Sequence, residues 1–117
     1  MIKDEVRVLV VDYVTDDLMI YVIQRGIKGV EHLGVVHGSL KELQDHLRSN
    51  NLINEVKYIV LPEGRILRVV ERGEVRPHDL RDEEAVLIRN IVLDGKHIID
   101  LVKSELKLIM TQKQIKQ

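Results

Sequence analysis

The strongest constraint on the fold is a pair of segments near the N terminus that are apolar at both alternating sets of positions. Residues 6–14 carry Val at four positions on one side and Leu, Val and Tyr on the other. Successive side chains of a strand point to opposite faces, so this pattern predicts a strand that is covered on both faces. Residues 18–25 resume the pattern after the polar residues 15–17, and a β-hairpin is the best interpretation of the pair. A helix over 18–25 with Thr15 as its N-cap is the alternative.

The core that these strands build must be aliphatic. Val, Leu and Ile supply 45 of the 117 residues, whereas Phe, Trp and Cys are absent and only three Tyr occur. The lack of Cys excludes a disulfide framework, thiol catalysis and thiolate metal sites. A chain of this length has the size of one domain, which we expect over 1–110, and the polar tail at 111–117 is expected to fray.

The charge of the chain is balanced, with 18 basic and 19 acidic residues and a net charge of −1. Such a balance does not steer polyanions to the surface, so a nucleic-acid partner is not expected. The first residues lack the apolar stretch of a secretion signal and no long apolar run follows, which predicts a cytoplasmic protein with no membrane partner. Dense charge, branched aliphatic side chains and the lack of Cys are typical of proteins from thermophilic sources.

Local signals predict one further strand and one helix in the middle of the chain. Residues 30–37 are rich in β-branched side chains, and Gly34 within them favours an edge or bulged strand. Ser39 and Glu42 form a capping box, and Leu recurs on one face of the helix that it opens, so we expect a helix over 40–49. The two Asn residues that follow should end this helix, because Asn adopts left-handed backbone angles readily.

The C-terminal third has the periodicity of helices. Apolar residues recur at three- and four-residue steps after an acidic start at 82–84. This pattern predicts a helix that stops at Asp94-Gly95 and a second helix over 96–110. A hairpin with strands 86–93 and 96–102 about the same glycine is the alternative.

The remaining segments predict a second hairpin and complete the fold class. Segments 56–61 and 65–72 are rich in β-branched residues and flank the turn residues Pro62-Glu63-Gly64. The predicted fold is therefore α+β, with a mainly antiparallel sheet of about five strands, one mid-chain helix and a helical C-terminal region.

Residues 8–12, Val-Leu-Val-Val-Asp, resemble the first strand of phospho-acceptor receiver domains. A receiver also needs an acidic pair at the end of this strand and a phospho-acceptor Asp after a later one. Tyr13 follows Asp12, and the strand end at 60–62 carries no Asp, so receiver function is excluded.

The segment His37-Gly38-Ser39 is the best candidate for binding a small ligand. It lies where a strand is predicted to meet the N terminus of helix 40–49, and backbone N–H groups and the helix dipole attract anions there. Gly38 would permit close approach, and His37 could supply a proton or a hydrogen bond. No Gly-rich phosphate-binding motif surrounds the segment, so plain helix capping is the favoured interpretation and ligand binding is the alternative.

A group of arginines, Arg68, Arg72 and Arg76, is a second candidate site. Arg68 and Arg72 share one strand face, where they could contact phosphate or carboxylate groups. Neighbouring Glu residues neutralise the region, so an edge strand protected by charge is the better interpretation. The His residues lack the spacing of a metal site and no nucleophile motif occurs, so we predict no catalytic residue, metal or cofactor.

These observations favour a small non-catalytic interaction or regulatory module. Strands that are apolar on both faces need cover that the predicted helices supply only in part, so we expect a second copy to bury the rest in a homodimer, and a protein partner is also possible. One alternative is an anion- or nucleotide-binding protein, or a small enzyme, that uses the helix N terminus at residues 37–39. The other is a winged nucleic-acid-binding protein with the hairpin that contains Arg68 as its wing.

Overall fold

The computed structural model describes residues 6–70, 73–78 and 82–115, which fold into a mixed sheet with one helix on each face. The strands are β1 (Arg7–Thr15), β2 (Leu18–Arg25), β3 (Val30–His37), β4 (Tyr58–Val60), β5 (Ile66–Val69) and β6 (Val75–Pro77). The helices are α1 (Leu40–Ser49) and α2 (Asp82–Ile115). The predicted α+β class with a mainly antiparallel sheet is confirmed.

The sheet joins two three-stranded meanders side by side. Its strand order is β3-β2-β1-β4-β5-β6, and β1 pairs with β4 in parallel while every other neighbouring pair is antiparallel. Each meander is followed by a helix, so the order β-β-β-α occurs twice along the chain. The two helices lie on opposite faces, because α1 and α2 pack into separate core clusters.

Strand alternation divides the aliphatic core into two layers. The layer under α1 contains Leu9, Val11, Met19, Tyr21, Ile23, Ile59 and Leu67, with Leu43 and Leu47 of the helix. The layer under α2 contains Val8, Val10, Val14, Ile20, Val22, Tyr58 and Val60, with Ile88, Ile91 and Ile99 of the helix. The central strands are thus covered on both faces, as their sequence predicts, and each buried aliphatic side chain contributes about 1.5–3 kcal/mol.

The first half of the chain folds as expected. The hairpin of β1 and β2 replaces the helical alternative for 18–25, and α1 has the predicted bounds. Asn51 takes a φ of 57° directly after the helix, in the left-handed region. β3 is an edge strand, and its pairing with β2 carries a bulge. Both features were expected from Gly34, whose missing Cβ makes room for the Tyr21 ring.

The predicted break at Asp94-Gly95 is wrong, because α2 runs through it without interruption. Gly95 faces the sheet, and a Cβ placed there would lie 3.1 Å from a methyl group of Val10 and 3.3 Å from one of Val22. The glycine therefore lets the helix backbone approach β1 and β2 closely. The hairpin alternative for 86–102 is also wrong, and the helix continues to Ile115, beyond its predicted end at 110.

The second hairpin forms with shorter strands than predicted, and a third strand follows it. β4 and β5 pair in antiparallel fashion across the predicted turn, where Gly64 has a φ of 95°. β6 has only three residues and ends in proline, so its sequence carries little β signal. Because β6 covers β5, the prediction that 65–72 forms an edge strand is wrong, and the charged edge is β6.

Candidate functional site

The predicted anion site at residues 37–39 is already filled by a side chain of the protein. The Ser39 amide donates a 2.7 Å hydrogen bond to the Glu42 carboxylate, and the Ser39 hydroxyl donates to the same oxygen. These bonds, led by that of the hydroxyl, hold the pKa of Glu42 below its ordinary value. Gly38 has a φ of 113° and packs against the Glu42 side chain. A ligand role for His37, Gly38 and Ser39 stays a prediction, and an external anion would have to displace Glu42.

Two of the three predicted arginines meet on the sheet. Arg68 of β5 and Arg76 of β6 are directly opposite each other in the strand register. The Arg76 guanidinium donates to both carboxylate oxygens of Glu74, at 3.1 and 3.2 Å. Arg72 lies outside the described residues. The structure thus brings a pair of cations to the β5–β6 end of the sheet, and one of them is neutralised by its neighbour.

A groove lies beside this pair, between α2 and the second meander. It forms because α2 packs mainly over β1 and β2 and leaves part of the β5 and β6 surface uncovered. Its volume is about 810 Å³, within the range of small-molecule sites. Its apolar lining includes Val60 and Ile66 of the sheet and Ile88 and Val92 of the helix.

Among the residues that the structure describes, the charged ones that line the groove are all basic. They are Arg65, Arg89 and Lys96, and His78 lines the same groove. Arg65 is paired with Glu63 at 3.2 Å, and no ion pair involves Arg89 or Lys96 in the part of the chain that the structure describes. Arg89 and Lys96 are seven residues apart, so they lie on the same side of α2, about 10 Å apart along its axis.

The His78 ring lies against Tyr58 at the groove. The two ring centroids are 5.4 Å apart, and the backbone N–H of His78 donates to the Ile66 carbonyl. The Nε2 atom is buried and makes no hydrogen bond to the described residues, with the Glu84 carboxylate 3.9 Å away. The ring therefore presents an unsatisfied polar atom next to the cationic lining.

Sequence reasoning missed this groove because its residues come from three separate segments. Arg89 and Lys96 belong to one helix only when α2 is continuous, and the predicted stop at residue 94 separated them. Their seven-residue spacing on a continuous helix is the one signal that could have linked them.

The edge strand β3 is a second notable surface. Leu33 and Val35 remain 45% and 41% exposed, although they pair with Val22 and Ile20, which are fully buried under α2. Eight residues long, the strand contains no Lys, Arg or Pro. The other edge, β6, is short and carries Arg76 and proline, which are common protections against edge pairing. β3 lacks these protections and exposes an apolar strip beside α2.

Neither helix in the described ranges has an apolar stretch long enough to cross a membrane. Within residues 6–70, 73–78 and 82–115, no group of three His, Asp or Glu side chains could hold a metal ion. No protein-family model matches the chain, and no curated protein or solved structure shows significant similarity to it. Its function is therefore inferred from the geometry of the described residues.

Proposed function

We propose that the protein is a small, cytoplasmic, non-catalytic interaction module that works as a homodimer, joined by antiparallel pairing of β3 with β3 of a second copy. The observation that carries this proposal is the long β3 edge, which contains no Lys, Arg or Pro and on which Leu33 and Val35 are exposed.

Pairing of the two β3 edges would satisfy the backbone hydrogen bonds of the strand and bury its apolar strip. An edge strand has N–H and C=O groups without a strand partner, and an antiparallel neighbour supplies the missing hydrogen bonds. A two-fold axis perpendicular to the sheet would make one continuous sheet with both α2 helices on the same face. The two copies of Leu33 and Val35 would then pack against each other between the helices.

The test is the substitution Val35→Lys, which places a charge in the apolar strip without touching the buried core. We expect the wild-type protein to have twice the mass of one chain in light scattering at micromolar concentration, and the variant to have the mass of one chain. A like-charge pair at the interface is costly, whereas an exposed Lys on a monomer is not.

The matched control is Val86→Lys, which replaces an equally apolar residue that is 57% exposed on α2. This variant should stay dimeric, because residue 86 is exposed and its neighbours Ala85 and Ile88 line the groove at β5 and β6, at the opposite end of the sheet from β3. A wild-type mass equal to one chain, or dissociation by both substitutions alike, would contradict pairing through β3.

A further inference from the structure

We propose that the groove between α2 and the second meander binds a small organic anion with an apolar body, of the class of medium-chain carboxylates. This site is separate from the β3 edge, since the two lie on opposite sides of α2. Ligand binding in the groove therefore does not depend on dimer formation through β3.

The lining of the groove matches the apolar part of such a ligand. Val60 and Ile66 form one wall and Ile88 and Val92 form the other, so a short alkyl or ring system would contact side chains on both sides. At about 810 Å³ the space lies within the range of small-molecule sites and accommodates a ligand of the size of a medium-chain carboxylate.

The charge of the groove selects an anionic head group. Arg89 and Lys96 line it from one side of α2 without acidic partners among the described residues, and none of the described lining residues is Asp or Glu. A carboxylate or phosphate monoester can accept hydrogen bonds from both cations, and Arg favours planar, bidentate contacts with such groups. The apolar walls lower the local dielectric and strengthen this attraction.

His78 also lines the groove, next to Glu84. Its Nε2 atom is buried and makes no hydrogen bond to the described residues, so it is not exposed to a ligand in the groove. The Glu84 carboxylate lies 3.9 Å from Nε2. We therefore assign recognition of the anionic head group to Arg89 and Lys96.

The experiment is calorimetric titration of the full chain with octanoate, with the neutral isostere octanamide as the charge control. We expect octanoate to bind and octanamide to bind at least tenfold more weakly. The double substitution Arg89→Gln and Lys96→Gln should weaken octanoate binding at least tenfold. Both side chains are exposed, so the variant should fold, which its thermal melt verifies.

Lys107→Gln is the matched control, because residue 107 lies three turns beyond residue 96 on the same side of α2 and does not line the groove. This variant should bind octanoate as the wild type does. The amide shifts that octanoate causes in NMR spectra should centre on Ile66 and Val92.

Four results would overturn the proposal: no octanoate binding at millimolar concentration, equal affinity for octanamide, unchanged binding by the double variant, or shifts that centre elsewhere. A single-stranded oligonucleotide that binds while octanoate does not would assign the basic surface, including Arg68, to nucleic acid instead.

Discussion

Glu31 ties three strands together at one end of the sheet. Its carboxylate accepts a 2.7 Å hydrogen bond from Arg7 of β1 and lies 3.7 Å from Arg25 of β2. The hydrogen bond from Arg7, together with the charges of both arginines, holds the pKa of Glu31 below its ordinary value of 4.5. A group with a lowered folded-state pKa stabilises the protein above its unfolded-state pKa, and this contribution disappears as the pH falls through the folded-state value.

We therefore expect Glu31→Gln to lower the free energy of unfolding at pH 7. The difference from the wild type should shrink as the pH falls below about 4.5, because the wild-type carboxylate then becomes protonated. Urea unfolding at fixed protein concentration between pH 7 and pH 3 measures this difference. Glu55→Gln, at an exposed position in the turn before β4, is the control. A difference that stays constant over this range would contradict a stabilising role for the ionised carboxylate.

Individual site residues were predictable where their partners are close in sequence. The contact of Ser39 with Glu42 spans three residues, and its sequence pattern indicated the cap correctly. The groove residues Arg89 and Lys96 could not be recognised in this way. Their importance depends on the uncovered part of β5 and β6, which no local pattern encodes.

Among the elements, α2 shows how packing overrides a local signal. Gly costs about 1 kcal/mol relative to Ala in a helix interior and is frequent just after helix ends, so a stop at residue 95 was the reasonable prediction. Gly95 nevertheless lies inside the helix, because its lack of a Cβ lets the helix lie directly on Val10 and Val22. β6 was not predicted, because a segment of three residues that ends in Pro77 gives too little pattern to detect.

The close approach at Gly95 predicts an unusual result for Gly95→Ala. In an isolated helix this change would stabilise by about 1 kcal/mol. Here the new Cβ would lie 2.8 Å from the Gln24 side-chain oxygen and 3.1 Å from a methyl group of Val10, and such overpacking costs about 1–3 kcal/mol. We expect a net loss of about 1 kcal/mol in urea unfolding, and a larger loss for Gly95→Val.

Asn90→Ala is the control for this prediction, because Asn90 lies on the exposed side of the same helix. It should raise stability by a few tenths of a kcal/mol, as helix propensity alone dictates. If Gly95→Ala raised the stability as well, α2 would not be seated on β1 and β2 as described.

For the whole molecule, the sequence predicted that the central strands need cover on both faces, and the two helices provide it. It did not predict the parallel pairing of β1 with β4, since a long-range pairing leaves no mark in local periodicity. The sequence also could not show that α2 covers only part of the sheet face on which it packs. The uncovered parts are the groove on one side of this helix and the strip of Leu33 and Val35 on the other.

Distances between identical spin labels in the assembled protein test the central claim, the pairing of β3 with β3, most directly. The chain has no native Cys, so His32→Cys and Arg76→Cys each give a single labelling site. With neighbouring strands about 4.8 Å apart, labels at residue 32 should lie within about 25 Å of each other, and labels at residue 76, on the far edges, about 50 Å apart. Short distances at residue 76 with long ones at residue 32, or no defined distance at either site, would contradict the β3-paired dimer.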